Sequence, residues 1–154
     1  IGATPRINPY IKKSSILQAD KEGKITIEIA NAGSTNVKFL ELTLIPSEDY
    51  RLISTSDYFY IGNVDADDTQ NEEIELYINK DAKMLNFPVK LKYLDANNRE
   101  FQQQFDLTLN LYSAGDLKKF GLLQHNYGWI YLLLMIFVIG GYLFYRKSRK
   151  KNHD

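Results

Sequence analysis

Between Lys24 and Asn31 the chain alternates: Ile25, Ile27 and Ile29 on one parity, Thr26, Glu28 and Ala30 on the other. A period of two is the mark of a strand with one buried face. Ala32, Gly33, Ser34 and Thr35 then supply a turn. The run Val37 to Ile45 sets Leu40, Leu42 and Leu44 against Glu41 and Thr43, and Pro46 ends it by removing a ladder donor. Ile74, Leu76 and Ile78 alternate with Glu75, Tyr77 and Asn79, and Val89, Leu91 and Tyr93 alternate with Lys90 and Lys92. After the turn cluster Asp95, Ala96, Asn97 and Asn98, Phe101, Phe105, Leu107, Leu109 and Leu111 share one parity, which predicts a hairpin from the last two strands. Tyr50 to Ser54 and Tyr58 to Ile61 are shorter runs, suited to edge strands or a crossover between sheets. With an N-terminal strand around Ile7 to Leu17, the pattern predicts an all-β, immunoglobulin-like antiparallel β-sandwich of about seven strands.

The period breaks after residue 112. Residues 113–126 read as a mixed, partly helical juxtamembrane linker in which Leu117, Phe120 and Leu122 are suited to the membrane interface. From Gly128 to Tyr145 no charged residue occurs, and as a helix this run is about 27 Å long, close to the apolar thickness of a bilayer. Tyr127, Trp129 and Tyr131 at one end and Tyr142 and Tyr145 at the other suit the headgroup level. Arg146, Lys147, Arg149, Lys150 and Lys151 follow, against only Lys118 and Lys119 on the near side, so the positive-inside rule places the C-terminus in the cytoplasm. The expected organisation is an extracytoplasmic sandwich over 1–112, the linker, a single C-terminal transmembrane helix over 127–145, and a basic cytoplasmic tail over 146–154. Gly140 and Gly141 lack small-xxx-small spacing and make only a weak case for a helix-dimerisation face. The chain opens at Ile1 without a basic stretch leading into an apolar run, so a preceding segment is expected.

Charge sharpens this picture. The 19 basic and 19 acidic residues cancel overall, but the tail is basic and the remainder net acidic. A net-acidic main domain offers no basic face for phosphates, which argues against nucleic acid as a partner. Cysteine is absent, which removes disulfides and thiolate metal sites.

Catalytic signatures are missing. His125 and His153 are the only histidines and sit on opposite flanks of the apolar run, so no two-histidine site forms within one chain. No phosphate loop, nucleophile elbow or zinc-protease helix occurs. The expectation is a protein that is not an enzyme and has no cofactor. Asp65, Asp67 and Asp68 form the one candidate for calcium, weighed against a solvated loop in which aspartates make local turn bonds. Tyr50, Tyr58 and Tyr60 around one loop are candidates for a recognition patch, weighed against packing in the core or an edge.

The segments KITIEIANAGSTNVKFLELTLIP, YIGNVDADDTQNEEIELYI and FPVKLKYLDANNREFQQQFDLTLNL resemble the repeated sandwich of archaeal S-layer-like and related cell-surface proteins, the CARDB-type immunoglobulin-like domains, over residues 8–112. The Asn31-Ala32-Gly33 turn, the Ile61-Gly62-Asn63-Val64 segment and the hairpin from Tyr93 to Asn98 carry the likeness. The resemblance implies an adhesion or scaffolding module and brings no active-site residues with it. Asp67 stands where that pattern usually has glycine, and no Asn-x-Ser/Thr sequon occurs, which keeps a membrane-complex subunit open. The functional expectation is a single-pass, membrane-anchored cell-surface interaction module, the membrane-proximal part of a longer envelope protein. The alternative is an accessory subunit of a transporter, translocon or other multi-span complex. The bilayer is the expected partner in both, together with a multi-span membrane protein or envelope proteins.

Overall fold

In the computed structural model, residues 5–54, 56–123 and 128–150 are described. The chain divides into two compact units, Ile1–Gly115 and Asp116–Asp154. The first carries eight strands: β1 (Ile7–Ser14), β2 (Glu22–Asn31), β3 (Val37–Leu44), β4 (Tyr50–Leu52), β5 (Tyr58–Val64), β6 (Thr69–Ile78), β7 (Met84–Leu94) and β8 (Glu100–Asn110). They form two four-stranded antiparallel sheets, ordered β1-β2-β6-β4 and β5-β3-β7-β8. The fold is an immunoglobulin-like sandwich, as the alternation predicts, and both short runs are edge strands, β4 paired with β6 and β5 with β3.

The alternating residues face each other across the sandwich. Ile25, Ile27, Ile29, Ile74, Leu76 and Ile78 from one sheet and Leu40, Leu42, Phe87, Val89 and Leu91 from the other are fully buried. Aliphatic burial on this scale is the main stabilising term of a chain without disulfides. The odd-numbered apolar residues of β8 are only half-buried, as befits an edge strand, and Phe101 stacks on Tyr93 with ring centroids 5.5 Å apart.

Two prolines occupy strands without breaking them, each for a positional reason. Pro9 lies on the edge strand β1. Pro88 lies inside β7 just beyond the last pair of the β3–β7 ladder, Leu44 with Val89, so its missing N–H interrupts no pair of that ladder. Its carbonyl instead accepts from the Ile45 amide at 3.0 Å. β7 therefore starts at Met84, ahead of the alternation visible from Val89.

The second unit contains α1 (Ala114–Lys119, entering from the end of the first) and α2 (Gly128–Lys150). The helix runs on past the apolar stretch to Lys150, so Arg146 and Lys147, the start of the basic tail, are helical. Both are good helix formers, and cations at a helix C-terminus interact favourably with its macrodipole.

Candidate functional site

At one end of the sandwich, three connections carry the polar residues the alternation leaves over. β2 ends at Asn31, fully buried, whose Nδ2 donates to the carbonyls of Thr35 (2.8 Å), Asp65 (3.0 Å) and Val64 (3.2 Å), while its Oδ1 accepts from the Gly33 amide at 3.2 Å. One side chain thus ties the β2–β3 turn to the β5–β6 turn. Asn31→Ala leaves three inward carbonyls without this donor and is expected to cost about 2 kcal/mol of stability, read as a lower denaturant midpoint at unchanged slope.

The β7–β8 hairpin is organised by Asp95, whose side chain is buried. Its carboxylate accepts from the amides of Asn97 (2.8 Å) and Arg99 (2.9 Å) and from the Arg99 guanidinium (2.8 Å). Asn98 takes the left-handed conformation, φ 61°, that closes such a three-residue loop. Burial pushes the Asp95 carboxyl up, but the Arg99 amide and guanidinium and the Asn97 amide outweigh it and hold the pKa below the usual carboxylate range. A carboxyl held lower in the folded chain than in the unfolded one contributes stability that is complete above the ordinary carboxylate pKa and lost as pH falls through the folded value. Melting temperature is therefore expected to drop on acidification below the ordinary carboxylate range, and Asp95→Asn to flatten that part of the profile.

Asp65, Asp67 and Asp68, the calcium candidates, lie on the β5–β6 turn with exposed side chains. Asp67 has φ 59°, the Asp68 amide donates to the Asp65 carbonyl at 3.2 Å, and Asp68 Oδ1 caps the Thr69 amide at 2.8 Å. Among the described residues no three His, Cys, Asp or Glu side chains gather in a way that would hold a metal ion.

The tyrosine trio is split by the fold. Tyr50 is buried: its ring lies 5.1 Å from that of Phe87, its hydroxyl donates to the Ile45 carbonyl at 2.7 Å, and burial raises its pKa to about 12. Tyr58 and Tyr60 are exposed on the outer face of edge strand β5. Phe39, which the alternation does not single out, is 53% exposed on the adjacent β3. Register shifts flank Leu40 on the β3–β5 ladder, and Phe39 there takes φ 53°, uncommon for a bulky side chain. Asn63 Oδ1 accepts from the Phe39 amide at 3.2 Å and Gly62 takes φ 93°, so the two bulged strands fix a common irregularity. The outer face of the other sheet holds ion pairs: Lys24 bridges Glu73 (2.8 Å) and Glu75 (3.0 Å), and the buried Glu28 accepts from Tyr10 and Lys12.

In the second unit, Gly128–Lys147 is long and apolar enough to cross a membrane, and none of its most apolar window is buried inside the protein. Trp129 and Tyr131 at its start and Tyr142 and Tyr145 near its end are exposed. Tyr127, His125 and Lys151 lie outside the described residues. Gly140 and Gly141 leave a notch bordered by Ile136, Phe137 and Phe144. Leu117, expected at the membrane interface, is instead buried, whereas Phe120 and Leu122 are exposed.

The strand order, antiparallel pairing and C-terminal apolar helix define an immunoglobulin-like domain joined to a helix compatible with a single-pass anchor. No protein-family model matches the chain, and no curated protein matches it. Among solved structures, the chain is similar to an uncharacterised protein from Nocardia farcinica with an immunoglobulin-like fold, at 10% identity over 72% of this chain and 98% of that one, with a TM-score of 0.44. It is also similar to PapD-like domain 7 of human CEP192, at 13% identity, 70% and 86% coverage and a TM-score of 0.42. A FixG-related protein from Vibrio parahaemolyticus is similar at 12% identity, 67% and 94% coverage and a TM-score of 0.34. These likenesses concern strand arrangement only.

Proposed function

We propose that this chain is a single-pass, membrane-anchored cell-surface structural or interaction module without enzymatic activity, the membrane-proximal part of an envelope protein of the S-layer-like, CARDB type. The sandwich stands outside the membrane and the basic end of α2 lies in the cytoplasm. The observation that carries this reading is α2 itself, in which Leu132 to Ile139 are all well exposed with no protein cover. A contiguous apolar surface of that extent is unstable in water and stable in lipid. The sandwich then offers partners its edges and the Tyr58, Tyr60 and Phe39 patch, since unpaired edges and exposed aromatic residues are common protein contacts.

The second reading, an accessory subunit of a multi-span complex, draws on the notch at Gly140 and Gly141, where a neighbouring helix can approach closely. Purification of the full-length chain from its native membrane in mild detergent, with crosslinking along 128–145, separates the two. Recovery of envelope proteins crosslinked through the sandwich supports the first reading; stoichiometric recovery of a multi-span protein crosslinked to α2 replaces it with the second.

A further inference from the structure

The end of α1 is built to turn two apolar side chains outward. The Leu122 amide donates to the Leu117 carbonyl at 2.9 Å and the Gly121 amide to the Lys118 carbonyl at 3.1 Å, the paired bonds of a Schellman cap. Gly121 supplies the left-handed residue that cap needs, at φ 70°. Leu117 is buried, whereas Phe120 and Leu122 are 59% and 56% exposed and directly follow the exposed Lys118 and Lys119. From Leu122 to Gly128, where α2 begins, the chain reaches at most about 20 Å even when fully extended.

We propose that Asp116–Leu122 is an interfacial foot: Phe120 and Leu122 insert at the headgroup level of the bilayer that α2 crosses, and Lys118 and Lys119 pair with phospholipid phosphates. The proposal rests on the anchor reading above. The occupant is the lipid surface because the short tether keeps these residues close to it. The pairing of apolar with basic side chains also matches an interface that is oily on one side and anionic on the other.

The test uses the full chain in phosphatidylcholine vesicles containing a minor share of phosphatidylglycerol, with lipids brominated near the headgroup as quenchers. Trp129 is the only tryptophan, so the native chain reports on the anchor alone. The double variant Trp129→Phe, Phe120→Trp reports on the foot. Its emission is expected to be blue-shifted and reduced about twofold by brominated lipid, with less quenching when Lys118→Glu and Lys119→Glu are added. Gly121→Val, strained at its positive φ, is expected to lower quenching in the same background; unchanged quenching there would overturn the role given to the cap. Solvent-like, unquenched emission from the double variant, with Trp129 quenched in the native chain, would overturn the foot and leave the anchor standing. An unquenched Trp129 would overturn both.

Discussion

Leu134→Arg combined with Val138→Arg is expected to release the chain from membranes. The two positions lie one helical turn apart in the middle of α2 and are both well exposed in the structure. Arginine at the centre of a membrane helix costs about 2.5–3.5 kcal/mol on insertion scales, so the pair opposes insertion by about 5–7 kcal/mol. The native chain should stay in the membrane pellet through an alkaline carbonate wash, while the double variant should appear in the supernatant or fail to accumulate. A carbonate-resistant double variant would show that α2 is not what holds the chain to the membrane. Leu134→Ala with Val138→Ala serves as the comparison, since alanine keeps the helix and avoids the charge.

Phe87→Ala is expected to produce the largest loss of stability from a single change in the sandwich. Phe87 is fully buried on β7, packs against Tyr50, and sits among aliphatic side chains from both sheets. Truncating a buried phenylalanine removes its transfer free energy and leaves a cavity, together about 3–5 kcal/mol. For a domain of this size that is a large share of the total stability. Denaturant unfolding of the full chain in detergent, followed by far-ultraviolet circular dichroism, should show the midpoint fall sharply. A shift under about 1 kcal/mol would mean that the two sheets do not pack as described.

Legibility in the sequence followed burial geometry. β2, β3 and β6 bury one face each, so their alternation placed both the strands and their inward residues. The first residues of β6 and β7 were hidden, because Thr69 to Glu73 hold no apolar side chain and Pro88 reads as a breaker until it is placed just beyond the last β3–β7 ladder pair. Tyr50, Tyr58 and Tyr60 looked alike as a local cluster, but β4 and β5 belong to different sheets, and that separation is a tertiary fact. Phe39 shares the outward parity of Glu41 and Thr43; what the alternation hides is the bulge beside it, across which Val37 is buried although it has that same parity. Asn31 and Asp95 were legible as turn formers, whereas their burial and multiple bonds arise only once loops distant in sequence meet or an arginine folds back.

The apolar run needed no tertiary information, since its length and lack of charge are properties of consecutive residues. Its function does need a measurement. The absence of cysteine makes single-cysteine topology mapping direct. Asn97→Cys on the β7–β8 loop and Asn152→Cys in the basic tail, each made separately, can be treated in intact cells with a membrane-impermeant maleimide. The account predicts that the Asn97→Cys chain is labelled without lysis and the Asn152→Cys chain only after it. Labelling of the tail position in intact cells, with the loop position protected, would contradict an outward-facing sandwich held by a single C-terminal anchor.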